Sequence, residues 1–172
     1  MKALLSIGSN LGEPIENCRR ALEMLGEKIV ASSSLYETSP VETIDAQRAY
    51  VNVSVLIETS DSPLQLLERI QSIESYFDRQ RPHFHAARTM DIDIIWLEGI
   101  ELTGGRLTVP HPRASMRLFV LLPTFEISPD LAVKLADPEA TPYLGSLEVG
   151  KSLVATLGTE IQEITLIEGP AK

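Results

Sequence analysis

Cysteine is almost absent from this chain: its 172 residues contain one, Cys18. A lone thiol excludes an internal disulfide framework and makes a reducing cytoplasm the expected compartment. Cys18 falls on the apolar side of a predicted helix and is read as core. Positive charge is also scarce. Lys and Arg number 15 against 24 Asp and Glu, a net charge of −9. That balance excludes the broad basic surface of a nucleic-acid binder, while leaving room for a local site that holds a small anion. No apolar run reaches the length of a membrane span. The start, MKALLSIGSN, is too short an apolar run for a signal peptide, so the sequon Asn52-Val53-Ser54 is read as a chance match. Repeats and low-complexity tracts are missing. So are the phosphate cradles G-x-x-x-x-G-K-[S/T] and G-x-G-x-x-G; IGSNLGEP has two glycines and a turn but no lysine. Any nucleotide site must therefore rest on arginines and metal rather than on a glycine-rich loop.

What is present fits one soluble domain over residues 1–172, with 44 % apolar and 23 % charged residues. KALLSIGS reads as a strand. GEPIENCRRALEMLG reads as a helix with Pro14 in its first turn, Gly26 at its end, and Ile15, Cys18, Leu22 and Leu25 on one stripe. KIVASSSLYET is a second strand, followed by a polar loop. In YVNVSVLIET the alternation sends Val51, Val53, Val55 and Ile57 one way and Tyr50, Asn52, Ser54 and Leu56 the other. Residues 60–81 form the strongest helix, capped by Ser62 or Asp61, with Leu66, Leu67, Ile70, Ile73 and Phe77 buried. TMDIDIIWL is the next strand. Residues 101–131 mix a short hairpin, turns and short helices. The tail predicts a short helix near 147–157 and a strand near 162–167.

The order strand, helix, strand, strand, helix, strand is the split βαβ pattern of a ferredoxin-like α+β domain. Its antiparallel sheet carries both helices on one face. The other face, onto which Tyr50 and Asn52 look, stays open to ligands or is covered by loops.

The segment ARTMDIDIIWL sets two carboxylates in an apolar strand. Residues i and i+2 of a strand share a face, about 6.5–7 Å apart, so Asp91 and Asp93 point the same way, with Ile92, Ile94 and Trp96 opposite as core. Two like charges on one face repel, and they are costly to desolvate. Two arrangements accommodate them: an edge strand with solvated aspartates, or a hard divalent cation such as Mg²⁺, held by carboxylates and phosphate oxygens. Arg79, Arg81, Arg88, Arg106, Arg113 and Arg117 crowd the neighbouring segments. Arginine forks match phosphate oxygens bidentately, which favours the metal and a polyanion. Gln71, Glu74, Asp78 and Arg81 form a second, polar stripe on the long helix, where Gln71 and Glu74 have the groups to bond a nucleoside.

These residues carry a family resemblance. SIGSNLGEP, SLYETSPV, YVNVSVLIET, LLERIQSIE, ARTMDIDII and RLTVPHPR…RLFVLLPTFEI occur in this order. Together they resemble 6-hydroxymethyl-7,8-dihydropterin pyrophosphokinase of folate biosynthesis. The likeness covers residues 2–131, leaving a C-terminal extension over 136–172. It implies transfer of the β,γ-diphosphate of ATP to a pterin hydroxymethyl group, with two Mg²⁺ and release of AMP. It further implies that Asp91 and Asp93 bind metal and that Gln71, Glu74, Arg81, Arg88, Ile94, Arg106, Thr108, His111 and Arg117 contact ATP. Arg79 and Arg88 join the two aspartates as catalytic groups. Thr38, Ser39, Val41, Tyr50, Asn52 and Phe119 form the pterin pocket, Asn52 bonding the ring and Phe119 stacking on it. The expected partners are ATP and the pterin alone, with no nucleic acid and no membrane, in a monomer or weak homodimer. The sequence departs from the family at PHFHAAR, where Phe84 or His85 stands near a frequent tryptophan, and at Ser39, where proline is frequent.

Two rival readings compete. His83 and His85, with Asp91 and His111, have residue types of a zinc hydrolase, but no further histidine or cysteine stands at ligand spacing. A non-catalytic ferredoxin-like binding module leaves the aspartate pair and the arginines unexplained.

Overall fold

The computed structural model describes residues 1–39, 48–78 and 89–170. The chain opens with β1 (Lys2–Ser9) and α1 (Pro14–Leu25), whose end is fixed by Gly26 at φ +70°. The predicted second strand divides at Ser33 into β2 (Ile29–Ser32) and β3 (Ser34–Thr38), both antiparallel to β4 (Tyr50–Glu58). The break costs little, because the Ser33 N–H donates to the Ser54 carbonyl at 2.9 Å. Next come α2 (Pro63–Asp78) and β5 (Asp91–Leu97). Of the two predicted caps for α2, Ser62 is the one used. Its N–H donates to Gln65 Oε1 at 2.9 Å while the Gln65 N–H donates to Ser62 Oγ at 3.4 Å, a reciprocal capping box ahead of Pro63 at the first helical position.

The sheet runs β5-β1-β4-β3 across this core, with β2 also on β4, which is the ferredoxin-like arrangement. Ala3, Leu5 and Ile7 of β1 meet Val51, Val53, Val55 and Ile57 of β4, the α1 stripe Cys18, Leu22 and Leu25, and the α2 stripe Leu66, Ile70, Ile73 and Phe77 in one buried cluster. Both helices therefore lie on one face, as the alternation in β4 requires. Among the described residues no helix is long and apolar enough to cross a membrane.

The opposite face differs from expectation. Most of it is covered by helices rather than by loops, and one end stays open. α3 (Leu118–Ile127) and α4 (Pro129–Leu135) lie over it. α3 reads LFVLLPTFEI, apolar on every side, so periodicity could not say which face it buries. It is fixed by polar contacts as well as apolar ones: Ser54 Oγ donates to the Val120 carbonyl at 3.3 Å and lies 3.2 Å from Thr124 Oγ1. Trp96 also sits on this face rather than with Ile92 and Ile94. The β1–β5 register shifts between Leu4 and Leu5, and a bulge reverses the inside-outside alternation beyond it. Ile95 and Trp96 consequently pack with Leu4, Val120 and Leu131.

The tail is a hairpin, β6 (Ser152–Leu157) and β7 (Glu160–Pro170), with no helix over 147–157. Leu153, Ala155 and Leu157 alternate inward against α3, and Gly158 turns the chain at φ +58°. β7 pairs with β3, so among the described residues the sheet has seven strands, six in the order β5-β1-β4-β3-β7-β6 and β2 beside them on β4.

Candidate active site

α3 and α4 leave one end of their face uncovered. There the strands set small residues beside polar ones. Gly8 of β1 is paired with Asn52 on one side and Asp91 on the other, and Ser6 with Ser54 and Asp93. The resulting cavity, about 170 Å³, is lined by Ser6, Gly8, Thr38, Ser39, Tyr50, Asn52, Asp91, Asp93, Arg117 and Phe119. Its depth depends on Gly8: a Cβ there would stand 3.0 Å from Asn52 Oδ1. Asn52 is held from the other side, its Nδ2 donating to Thr38 Oγ1 at 2.8 Å. The Arg117 guanidinium stacks 5.3 Å from the centre of the Phe119 ring, which gives the cavity a cationic and aromatic wall.

Both aspartates face this cavity, as the i, i+2 spacing requires. Burial raises the Asp93 carboxyl above the ordinary carboxylate range, and the negative charge of Asp91 raises it further. His111, Arg117 and Arg113 act in the opposite direction. His111 Nε2 lies 4.0 Å from Asp93 Oδ2, and its Nδ1 accepts from the Arg113 N–H at 3.3 Å. Burial holds the imidazole below its usual value despite the pull of Asp93. The Tyr50 phenol is raised, by burial first and by Asp91 second.

A second surface follows the outer edge of β5. Glu74 Oε1 on α2 accepts the Ile92 N–H at 2.9 Å. The chain after β5 returns alongside through a Leu102–Val109 bridge and the His111 N–H, which donates to the Ile95 carbonyl at 2.9 Å. This return brings Arg106 over α2, its guanidinium 3.4 Å from Glu68 Oε1 and 3.5 Å from Gln71 Oε1. Thr108 closes the turn, accepting the Gly104 N–H at 3.3 Å. Asp91 and Asp93 stand on the strand that borders both surfaces.

The sequence-predicted residues thus gather in two places. Thr38, Ser39, Tyr50, Asn52, Asp91, Asp93, Arg117 and Phe119 share the cavity, while Gln71, Glu74, Arg106, Thr108 and His111 lie along β5. Ile94 is the exception. Its side chain is buried in the α1–α2 core, on the face away from the carboxylates. Val41, Arg79, Arg81, His83, His85 and Arg88 fall outside the described residues. Ser6 and Gly8 were not among the predicted site residues. Their signal was the alternation in KALLSIGS, which puts them opposite Leu5 and Ile7 on the polar side of β1.

Among the described residues, no group of three or more His, Cys, Asp and Glu could hold a metal ion. The donor set that is present suits a different kind of site. Two oxygen-donor carboxylates share one face, one of them raised by burial and by the other's charge. A hard cation that takes its remaining oxygens from phosphates relieves that repulsion.

The raised Asp93 carboxyl has a stability consequence in the metal-free protein. Between the ordinary carboxylate range and the raised value, the folded state keeps a proton that the unfolded state has lost. Stability therefore falls as pH rises through that window and stays lower above it. Asp93→Asn removes the titration. Thermal melts with chelator present are expected to show the wild type losing ground to Asp93→Asn as pH climbs through the window. A pH-independent difference between the two would contradict the raised value.

A family model described as 7,8-dihydro-6-hydroxymethylpterin-pyrophosphokinase (HPPK) matches residues 4–129. A 2-amino-4-hydroxy-6-hydroxymethyldihydropteridine pyrophosphokinase of Haemophilus influenzae is 38 % identical over 135 residues, covering 76 % of this chain and 84 % of the relative. Its namesake from Bacillus subtilis is 39 % identical over 129 residues, 73 % of this chain and 77 % of the relative. Among solved structures, the Plasmodium falciparum HPPK-DHPS wild type with pterin and p-hydroxybenzoate superposes with a TM-score of 0.57 at 17 % identity. That likeness concerns the fold, and it covers 74 % of this chain and 39 % of that one.

Proposed function

The chain belongs to the 7,8-dihydro-6-hydroxymethylpterin-pyrophosphokinase family, and on that premise we propose how its site divides the work of an ATP-dependent pyrophosphokinase of folate biosynthesis. The cavity takes 6-hydroxymethyl-7,8-dihydropterin and the β5 edge takes ATP. The observation that carries this division is the cavity lining itself. It joins Thr38, Ser39, Tyr50, Asn52 and Phe119 to Asp91, Asp93 and Arg117, so a flat ring lying between Asn52 and Phe119 has its substituent directed to the carboxylates.

Asn52 presents an amide to the polar edge of the ring and Phe119 stacks on its face. Gln71 and Glu74 bond the nucleoside. Arg106, Thr108, His111 and Arg117 hold its phosphates, joined by Arg79, Arg81 and Arg88 from the segment between α2 and β5. Asp91 and Asp93 are the residues that would hold Mg²⁺, which when bound supplies positive charge to the phosphate oxygens. The pterin hydroxymethyl oxygen attacks the β-phosphorus in line. A bond forms between them, the bond from the β-phosphorus to the α–β bridging oxygen breaks, AMP leaves with that oxygen, and the hydroxyl proton is released to water. Such a transfer relies on positioning and charge neutralisation, with little covalent work for the protein. Arg117 offsets charge on the moving diphosphate. His111, whose imidazole burial holds below its usual value, offers the Nε2 hydrogen to the phosphates while its Nδ1 accepts the Arg113 N–H.

The test is direct. ATP, the pterin and Mg²⁺ are mixed with purified protein and AMP is measured. Pterin-dependent AMP supports the reading, and none overturns it. Gly8→Ala probes the cavity floor. Its Cβ forces Asn52 to move or the ring to rise, so the KM for the pterin is expected to increase ~10-fold, equivalent to ~1.4 kcal/mol. The KM for ATP is expected to hold. Steady-state kinetics with each substrate varied in turn checks this.

A further inference from the structure

The C-terminal hairpin lies beyond the residues 4–129 matched by the family model, yet β7 reaches the back of the cavity. Gln162 is 3 % exposed. Its Oε1 accepts the Leu118 N–H at 2.9 Å and its Nε2 donates to the Met116 carbonyl at 2.7 Å. These two peptide groups flank Arg117. Leu118 is the first residue of α3, so its N–H has no partner within the helix, and no side chain at the Arg117 cap position bonds it. Gln162 caps α3 from another element, and by bonding the carbonyl on the far side of Arg117 it closes a two-point clamp. A primary amide suits this task, because it carries one donor and one acceptor in a plane, as a neighbouring strand would.

The next residue of β7 holds the facing wall. The Glu163 carbonyl accepts the Ser39 N–H at 3.0 Å, and the Glu163 N–H donates to Ser39 Oγ at 3.2 Å. Two adjacent residues of the hairpin thus grip Thr38–Ser39 on one side and Met116–Phe119 on the other, and both segments line the cavity.

We propose that Gln162 is a positioning residue for the pterin half of the site. By fixing the backbone on both sides of Arg117, it keeps the Arg117 guanidinium and the Phe119 ring turned into the cavity, and it makes the C-terminal hairpin part of the active site. The inference rests on the division of the site proposed above. A purely structural staple would cost stability and leave kinetics alone, so the test separates the two.

Gln162→Leu keeps the volume and removes both hydrogen bonds. Leu166→Ala, a buried residue of the same strand, serves as a destabilised control. Both are assayed at a temperature where circular dichroism shows them folded. Gln162→Leu is expected to raise the KM for the pterin ~10-fold, the cost of a lost buried bond pair. Its kcat is expected to fall as well, because Arg117 offsets charge on the moving diphosphate, and the Leu118 amide to exchange hydrogen faster than in the wild type. Leu166→Ala is expected to keep the wild-type KM although its thermal stability falls. If Gln162→Leu fails to fold, Gln162→Met replaces it, an unbranched side chain of similar length that also lacks both hydrogen bonds. A wild type that releases AMP beside a Gln162 variant with unchanged KM overturns the clamp alone. A wild type that releases none overturns the division of the site and the clamp with it.

Discussion

Asp93→Ala is expected to reduce AMP release by ~10²–10³-fold, the range seen when a group that stabilises transition-state charge is removed, while the fold survives. The position explains both halves of the expectation. Asp93 lies on β5 with its carboxylate in the cavity and His111 Nε2 at 4.0 Å. Nothing apolar depends on it, because the buried β5 residues that fill the core are Ile92, Ile94, Ile95 and Leu97. Its charge is a burden to the free protein, as the upward shift through burial and Asp91 indicates. Removing it therefore does not destabilise, and the metal-free mutant should melt no lower than the wild type at neutral pH. The reaction, however, loses one of the two carboxylates that would keep Mg²⁺ against the phosphates, with Asp91 left to act alone. Circular dichroism establishes the fold, and AMP release from ATP and the pterin establishes the loss. Release near the wild-type rate would overturn the metal role of Asp93.

The shared face of the aspartates was legible in the sequence because alternation puts i and i+2 together. β5 is the edge of the sheet, however, so the spacing alone fits solvated aspartates as well as a metal, and the neighbouring arginines are what favoured the metal. The alternation rule also placed Asn52, since the valines of β4 identify the core face and leave Asn52 on the other. Alternation failed where the sheet is irregular. The bulge at Leu4 and Leu5 moved Trp96 to the face of Leu4, and nothing in DIDIIWL marks it. Ser6 and Gly8 escaped notice for another reason. They contribute space rather than chemistry, and space is visible only once Asn52 and Asp91 stand on either side of Gly8. The cover over the second face was hidden by composition, α3 being apolar all round. In the tail, SLVATL and EIQEITLI have short apolar runs that suit helix or strand alike. What decides between them is distant in sequence: the free edge of β3, which β7 completes. Gln162 became informative only through that pairing.

Asn52→Ala is expected to weaken pterin binding by ~30–100-fold, about 2–3 kcal/mol, the cost of leaving a polar ring edge unpaired in a buried site. ATP affinity should change by less than about two-fold, because Asn52 and its partner Thr38 share no hydrogen bond with Glu74, Gln71 or Arg106. The amide is pre-set for this role. Nδ2 is spent on Thr38 Oγ1 at 2.8 Å, which fixes the rotamer and leaves Oδ1 over Gly8, where the absence of a side chain keeps the approach clear. A bound ring therefore meets an acceptor that is already oriented and loses little in ordering it. Alanine removes that acceptor, and it also frees Thr38 to turn its hydroxyl elsewhere, so the cavity loses shape as well as a bond. The surface proposed for the nucleotide does not share these contacts. Glu74 is tied to the Ile92 N–H and Arg106 to Glu68 and Gln71, on the far side of β5 and β1 from β4. Calorimetric titration of each ligand measures the two effects separately. A loss of ATP affinity exceeding the loss of pterin affinity would assign the cavity to the nucleotide and reverse the division of the site along β5.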